Sequence, residues 1–281
     1  MPNHVTHRLI ITAPSKEALD NFIVSVASKD ENDFSAFCFE TLVPTPICIQ
    51  ESESSSDVEV GLALLDRLDC SDRMFGAKTL DEFVAQYLSY SWVQSAGVTN
   101  KDELLDFLRK RHPEAEAKAM HAIKCKEETG HADWYSWRIQ NWGTKWNAYS
   151  VDLERTDDTT VELKFDTAWS TPEPIFAAIA EKFPDLRIIG ACFDEGWNFA
   201  CGIKIGDGDC VILDAPNDHM DQLYAFVYGA WPEHDDEDEA QLIEHDELPT
   251  PARILEDLTK AKEAKKAAVV AAAKEVAVAA Q

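Results

Sequence analysis

Residues 160–193 read TVELKFDTAWSTPEPIFAAIAEKFPDLRIIGACF, and the first indication of the fold comes from them. Apolar and charged side chains alternate over residues 160–167, which is the period of a half-buried β-strand. A helix with apolar residues at helical spacing opens at Pro172 and stops before Pro184. A second β-rich run follows at residues 186–193. The stretch therefore predicts a β-α-β unit.

The N-terminal part of the chain has the same pattern. Residues 5–12 predict a strand, and Ser15 is a suitable N-cap for a helix with apolar residues on one side. The run at residues 37–43, closed by Pro44, predicts a second strand. Repeated β-α-β halves are typical of a ferredoxin-like α+β fold, in which helices cover one face of an antiparallel sheet.

Later residues predict additions to this fold. Strands are expected at residues 199–205 and 211–213, which add a hairpin. The turn between residues 193 and 199 contains Gly196, a residue suited to the positive φ of a two-residue hairpin turn. If Gly196 and Trp197 form that turn, Cys192 lies opposite Cys201.

The segment between the two halves predicts helices. Apolar residues recur at helical spacing over residues 58–68 and 80–93. A third helical region starts after Asn100, is interrupted at Pro113 and ends at Gly130. The predicted organisation has four parts: the first ferredoxin-like half (1–49), a helical insertion (50–130), a tryptophan segment with the second half (131–231), and an acidic, alanine-rich tail (232–281).

Composition limits the classes of function. The 281 residues include 52 acidic and 26 basic side chains, giving a net charge of −26. Binding to a nucleic-acid backbone depends on Lys and Arg, so direct nucleic-acid binding is not expected. An acidic surface suits solubility, a basic protein partner or imitation of nucleic acid. The oligomeric state is left open.

Cellular location is predicted from cysteines and hydropathy. The seven cysteines include no Cys-x-x-Cys pair, which favours a reducing cytoplasm over a disulfide framework. The N-terminus lacks the pattern of a targeting peptide, and no apolar run is long enough to span a bilayer. We therefore expect a cytoplasmic protein without membrane association.

The tail has the strongest charge feature. Residues 233–247 hold nine acids and no Lys or Arg, and such runs usually stay solvated and often act as interaction tails. The predicted interaction residues are Asp235, Asp236, Glu237, Asp238, Glu239, Glu244, Asp246 and Glu247. Residues 253–281 are rich in alanine and predict a helix. Pro249 and Pro251 separate the two segments, so everything from residue 232 is expected to be separable from the body.

Residues 133–149 read DWYSWRIQNWGTKWNAY and hold four of the eight tryptophans. The rings could line a ligand groove, because exposed aromatics beside a cation stack on planar ligands. They could equally pack as core around a turn, with Lys145 or Arg138 lying on a ring as a cation–π partner. We favour packing and keep the groove as an alternative. The candidate surface comprises Trp134, Trp137, Trp142, Lys145 and Trp146.

Motifs for catalysis or cofactor binding are missing from the sequence. His121, Cys125, His131 and Asp133 have ligand chemistry, but no second pair lies at zinc-site spacing. The nucleophile elbow, the phosphate-binding loop and the His-Glu-x-x-His motif are all absent. We assign no catalytic residue, no cofactor and no metal.

Several strings resemble a known family, the uncharacterised phage and plasmid proteins with a YubB-type ferredoxin-like domain. They are MPNHVTHRL at the N-terminus, TGHADWYSW at 129–137, NWGTKWN at 141–147, FDTAWSTP at 165–172 and DEGWNF at 194–199. The resemblance implies the ferredoxin-like fold and a mobile-element origin. It implies no activity, substrate or cofactor.

These observations favour a non-enzymatic, acidic interaction protein of a phage or plasmid. It would bind or inhibit a host nucleic-acid-processing or defence protein that has a basic surface, with nucleic-acid mimicry as one way to do so. The alternative is an enzyme or small-ligand binder with its pocket at Trp134–Trp146. Acids spread along a convex face would favour mimicry, and a concave tryptophan-lined pocket would favour ligand binding.

Overall fold

A computed structural model of the chain describes residues 3–28, 34–73, 76–233 and 247–279, with side chains described as far as residue 267. The chain divides into two compact units, Met1–Val43 with Trp142–Gln281, and Pro44–Asn141. The first unit contains the sheet and the second is helical. The second unit extends beyond the predicted helical insertion (50–130) on both sides.

The described strands are β1 (His4–Thr12), β2 (Tyr149–Arg155), β3 (Thr160–Ala168), β4 (Arg187–Asp194), β5 (Ala200–Gly206) and β6 (Asp209–Asp214). The described α-helices are α1 (Lys16–Val26), α2 (Phe39–Leu42), α3 (Ile47–Gln50), α4 (Ser56–Leu64), α5 (Leu80–Leu88), α6 (Ser91–Ser95), α7 (Lys101–Arg111), α8 (Ala115–Thr129), α9 (Trp134–Trp142), α10 (Glu173–Lys182), α11 (Met220–Tyr228) and α12 (Pro251–Ala279).

The sheet of the first unit is antiparallel, with strand order β2-β3-β1-β4-β5-β6. Along the chain, β1-α1-β2-β3-α10-β4 is the β-α-β-β-α-β order of a ferredoxin-like domain. The hairpin of β5 and β6 extends the sheet beside β4. The predicted α+β ferredoxin-like fold is confirmed, and Cys192 pairs with Cys201 as the register predicted.

The predicted strand at residues 37–43 is wrong. This segment forms α2, because Val43 N–H donates to the Phe39 carbonyl and Phe39 N–H donates to the Asn147 side chain, a distant cap that no local pattern indicates. The second strand of the fold is β2, which follows the helical unit in sequence. The helical insertion therefore interrupts the connection from α1 to β2 and does not lie between two complete halves.

Helices α1 and α10 cover one face of the sheet. The buried side chains of β1 on this face are Val5, His7, Leu9 and Ile11. Phe176 of α10 packs edge-on against His7 and Phe165, and Phe22 of α1 packs edge-on against Phe183. This is the face that the sequence pattern predicts, because its strands alternate and its helices have one apolar side.

Helix α11 and the first turns of α12 cover the other face over β4 and β5. Ile254, Leu255 and Leu258 are buried in a cluster with Phe193 and Leu213. The expectation that everything beyond residue 232 is separable is therefore wrong for the start of α12. The proline break remains in the sequence, but burial of three large apolar side chains binds the helix to the sheet.

The helical unit follows its predicted caps. Asn100 accepts a hydrogen bond from Glu103 N–H at the start of α7, and Gly130 ends α8 with φ of 83°. The helix predicted at 80–93 is two helices, α5 and α6. Gly61 lets α4 and α8 approach closely, since a Cβ there would lie 1.9 Å from the Ala115 carbonyl oxygen.

Within the described part of the chain, no helix combines the length and apolarity needed to cross a bilayer.

Candidate functional site

Exposed aromatic side chains gather at the end of the sheet where β1 and β2 begin and β3 and β4 end. Trp146, Trp169, Trp197 and Tyr228 are 40%, 47%, 43% and 41% exposed. We call this surface, together with Lys145, the aromatic end. Large exposed rings that cluster mark sites of interaction more often than single exposed ones do.

Lys145 lies on two of these rings. Its Nζ is 4.1 Å from the ring centroid of Trp146 and 3.7 Å from that of Trp169. A cation within about 6 Å of an indole centroid is attracted by the negative face of the ring. The predicted cation–π contact of Lys145 is confirmed, with Trp169 as a second partner that the sequence did not indicate.

Two of the exposed tryptophans have an unusual backbone conformation. Trp169 has φ of 72° and Trp197 has φ of 59°, the region that disfavours residues with a large Cβ substituent. Trp169 N–H donates to the Asn3 carbonyl at 3.0 Å, and Trp197 N–H donates to the Asp194 carbonyl at 2.9 Å. Each conformation costs about 1–3 kcal/mol and persists where surrounding contacts impose it, often at functional sites.

The turn that carries Trp197 is fixed by Asp194, a buried carboxylate. Its Oδ2 accepts hydrogen bonds from the Asn198 N–H at 3.1 Å and from the Asn198 side-chain amide at 2.6 Å. The predicted turn is wrong in detail, because the positive φ belongs to Trp197 and not to Gly196. Gly196 is required by space: a Cβ there would lie 2.5 Å from the Asn3 amide nitrogen.

The NWGTKWN string at 141–147 contains both residues that are anchored to the sheet unit and residues that face outward. The Trp142 indole N–H donates to the Val43 carbonyl at 2.9 Å, and the Thr144 hydroxyl donates to the Ala168 carbonyl at 2.9 Å. Gly143 has φ of 80° and lies against the residues that open α10. Lys145 and Trp146 project outward between these anchored residues.

A hydrogen-bonded row crosses the strands beneath the rings. The Tyr149 hydroxyl is 2.7 Å from His4 Nδ1 and donates to the Thr167 carbonyl at 3.1 Å. The Glu195 carboxylate accepts from the His4 backbone N–H at 2.8 Å. Burial, and then the nearby Asp166 and Glu195 carboxylates, raise the pKa of Tyr149 to about 12. The phenol is therefore neutral at physiological pH.

The residues of the predicted tryptophan surface are divided between the units. Trp142 is buried in the first unit against Phe39, and Trp137 is buried in the second. Trp134 is half-buried under Arg138, whose guanidinium carbon is 5.3 Å from the ring centroid, so this predicted cation–π contact is confirmed. Only Lys145 and Trp146 of the predicted set belong to the aromatic end.

Sequence reasoning did not select Trp169 or Trp197 as site residues, although both lie in the strings that carried the family resemblance. Their signal was a tryptophan within three residues of the end of a strand, in AWST after β3 and in EGWN after β4. Of the predicted acidic residues, Asp235, Asp236, Glu237, Asp238, Glu239, Glu244 and Asp246 lie outside the described residues. Glu247 is described and exposed.

The cysteine and histidine candidates have local roles. His121 Nε2 lies 2.9 Å from the Cys48 carbonyl oxygen, and the Cys125 thiol donates to that oxygen at 3.0 Å. Among the described residues, no group of three potential ligands is arranged to hold a metal ion. Cys192 and Cys201 are both buried, and hydrogen bonding between them raises the pKa of the Cys201 thiol and lowers that of Cys192.

Comparison with known proteins supports the fold of this unit. Residues 145–243 match the model of a family described as a ferredoxin-like domain in Api92-like protein. No curated protein sequence matches the chain. A solved structure, protein api92 from Yersinia pseudotuberculosis, aligns with 77% of this chain and 99% of its own length, at 11% identity and a TM-score of 0.39. Over β2 to β6 and α11, the chain is thus similar to the ferredoxin-like domain of Api92-like proteins.

Proposed function

We propose that the protein is a non-enzymatic, acidic interaction protein whose aromatic end binds a basic surface of a partner protein. The observation that carries this proposal is that Trp169 and Trp197 are exposed at positive φ. The Trp197 ring packs edge-on against Phe193 and stacks on Tyr224, and the Trp169 ring lies on Lys145, yet the two residues stay 43% and 47% exposed. A partner that contacts the exposed part of both rings would account for keeping them at a costly positive φ.

The chemistry of the aromatic end favours a cationic partner. The Trp146 and Trp169 rings attract the ammonium group of Lys145, and a Lys or Arg of the partner would displace that group or bind the ring surface that Lys145 leaves exposed. The exposed Glu195 carboxylate lies two residues from Trp197 and can pair with Lys or Arg. The net charge of −26 attracts a basic protein at long range and repels nucleic acid.

The proposed origin of the protein and the proposed class of its partner rest on the sequence. The mobile-element origin comes from the resemblance to phage and plasmid proteins, and the expected partner class is a host nucleic-acid-processing or defence factor. Nucleic-acid mimicry by the acidic run concerns residues outside those described. All seven cysteines are free thiols, in keeping with the proposed cytoplasmic location.

A binding experiment with a matched control tests the proposal. An immobilised arginine-rich peptide serves as a defined basic probe, and a host lysate read by quantitative mass spectrometry supplies natural partners. The Trp169→Ala/Trp197→Ala double variant should bind about tenfold more weakly than the wild type, because two cation–π contacts are lost. Trp92→Ala removes an exposed ring from the helical unit and should bind as the wild type does.

Two results would contradict the proposal. One is equal capture by the double variant and the wild type. The other is salt-sensitive binding of single-stranded or duplex nucleic acid in a mobility-shift assay, which would mean that the exposed rings stack on bases.

A further inference from the structure

The helical unit contains a cavity that the proposed function does not use. It has a volume of about 980 Å³ and lies between α4, α5, α9 and the residues Asp72 and Arg73, which follow the short helical turn at Leu68–Cys70. Its lining includes Glu59, Arg73, Tyr87, Tyr90, Asp133 and Tyr135. We call it the tyrosine pocket. A cavity of this size can enclose a small organic molecule.

The aromatic walls of the tyrosine pocket are held in place by neighbouring side chains. Tyr87 stacks on Phe83 with ring centroids 4.1 Å apart, and the ring of Tyr90 is 5.2 Å from that of Tyr87. The Gln86 side-chain amide donates to the Tyr90 hydroxyl at 2.8 Å. Tyr135 is more exposed and lies on the first turn of α9. Rings that are fixed before a ligand arrives lose little entropy on binding.

The charges that line the pocket are mostly negative. Three carboxylates, those of Glu59, Asp72 and Asp133, belong to the described lining, and Arg73 is the one Lys or Arg among those residues. Arg73 is already paired with Glu59 at 2.9 Å, and Asp72 is paired at 2.9 Å with Lys126, so Asp133 is the carboxylate of the described lining that no salt bridge neutralises. Burial, followed by the potential of Glu59, raises the pKa of Tyr87 to about 12, so its ring stays neutral.

We propose that the tyrosine pocket binds a small organic cation, an alkylated ammonium group attached to an apolar or aromatic body. Tyrosine faces attract such a cation without needing a hydrogen bond from it, which is how aromatic cages recognise quaternary ammonium groups. The Asp133 carboxylate adds attraction, and Ile139 together with the tyrosine rings accommodates the apolar body. This inference is independent of the aromatic end, which lies in the other unit.

Calorimetry or ligand-observed NMR on the full chain tests the proposal with three probes of similar size. Benzyltrimethylammonium is the cation, benzyl alcohol is the neutral counterpart and phenyl phosphate is the anion. The cation should bind saturably, and its tightest site should be the tyrosine pocket. The neutral and anionic probes should bind about tenfold more weakly or worse, since they lose the cation–π and carboxylate attraction.

Substitutions in the tyrosine pocket test whether benzyltrimethylammonium binds there. Tyr135→Ala and Tyr90→Ala should each weaken binding of benzyltrimethylammonium about tenfold, whereas Tyr135→Phe and Tyr90→Phe, which keep the rings, should stay within about threefold of the wild type. Trp169→Ala at the aromatic end should leave this affinity unchanged. Melting curves of all variants establish that each is folded.

The proposal is overturned if phenyl phosphate binds more tightly than the cation, because Arg73 would then define an anion site. It is overturned equally if none of the probes binds up to about 10 mM, far weaker than typical ligand affinities. Loss of cation binding in Trp169→Ala, with binding retained in Tyr135→Ala, would place the cation at the aromatic end instead.

Discussion

Tryptophan has two different roles at the aromatic end. Some of its rings are buried beneath this surface and others are exposed on it. Trp142 is 1% exposed, donates a hydrogen bond from its indole N–H and packs against Phe39. Trp146, four residues later, is 40% exposed and lies against Lys145. A high density of tryptophan in this segment therefore does not define one groove. Stability of the fold should depend on buried rings such as Trp142, and binding of a partner should depend on exposed rings such as Trp146.

The largest effect is expected from removing the start of α12, which closes the buried cluster around Phe193, the residue on which Trp197 packs at 4.8 Å. A chain that ends at Thr250 lacks Ile254, Leu255 and Leu258. Loss of burial should cost about 1.5–3 kcal/mol for each side chain, enough to unfold the first unit or to lower its melting temperature strongly. Thermal melting followed by circular dichroism measures this.

A chain that ends at Ala267 is the control, because it keeps all three buried side chains. It should melt well above the shorter chain. Equal melting temperatures for the wild type and the chain that ends at Thr250 would mean that α12 is a separable tail after all.

The second prediction separates the two tryptophans directly. Trp142→Ala should reduce the free energy of unfolding by about 3–5 kcal/mol, because it removes a buried ring and its hydrogen bond. Trp146→Ala should cost less than about 1 kcal/mol, because the ring is exposed. Chemical denaturation measures both values. Similar decreases in the free energy of unfolding for the two variants would show that Trp142 and Trp146 do not differ in this way.

The third prediction concerns the hydrogen bonds of Tyr149 with His4 and Thr167, which lie beneath the exposed rings. Tyr149→Phe should lower the free energy of unfolding by about 1–2 kcal/mol at neutral pH, since the Thr167 carbonyl and His4 lose their partner. The pKa of Tyr149 is raised to about 12, so the native state stays protonated while the unfolded phenol ionises near pH 10. The wild type therefore loses stability as pH rises from about 10 to 12.

The variant lacks this ionisation, so the difference between Tyr149→Phe and the wild type should narrow above pH 10. The other tyrosines are common to both proteins and cancel in the comparison. A gap that stays constant from pH 7 to 11 would mean that the Tyr149 phenol titrates as it does in the unfolded chain.

The smallest effect on stability is expected for substitutions of the exposed Trp169. At φ of 72°, glycine is not strained but alanine is, so Trp169→Gly should be about 1 kcal/mol more stable than Trp169→Ala. Both variants should bind the arginine-rich peptide more weakly than the wild type. Denaturation curves for the pair check the first statement. Greater stability of the alanine variant would argue against a strained backbone at this position.

Much of the fold could be predicted from local patterns. Strands β1, β3, β4 and β5 combine apolar periodicity with clear boundaries, and Ser15, Asn100 and Gly130 mark helix ends. Strand β2 was missed because it is mostly exposed and its pairing with β3 is irregular between Tyr149 and Asp152. The segment at 37–43 was assigned to a strand because its cap, Asn147, is distant in sequence.

The candidate site was less predictable for a different physical reason. Exposure of a tryptophan and the sign of its φ both follow from tertiary contacts, such as the hydrogen bond from Trp169 N–H to the Asn3 carbonyl. Sequence alone therefore grouped Trp134 to Trp146 by proximity along the chain. The fold instead brings Trp146 and Trp169 together on Lys145 and places Trp197 against Phe193 and Tyr224.

The hydrogen bond from Trp142 to the Val43 carbonyl joins the two residues between which the helical unit is inserted. The insertion therefore leaves and re-enters the sheet unit at neighbouring points, as a guest domain does in a host. Such an arrangement lets recombination exchange or delete the guest without altering the strand order of the host. The sheet and the helical unit can thus have separate evolutionary histories within one gene.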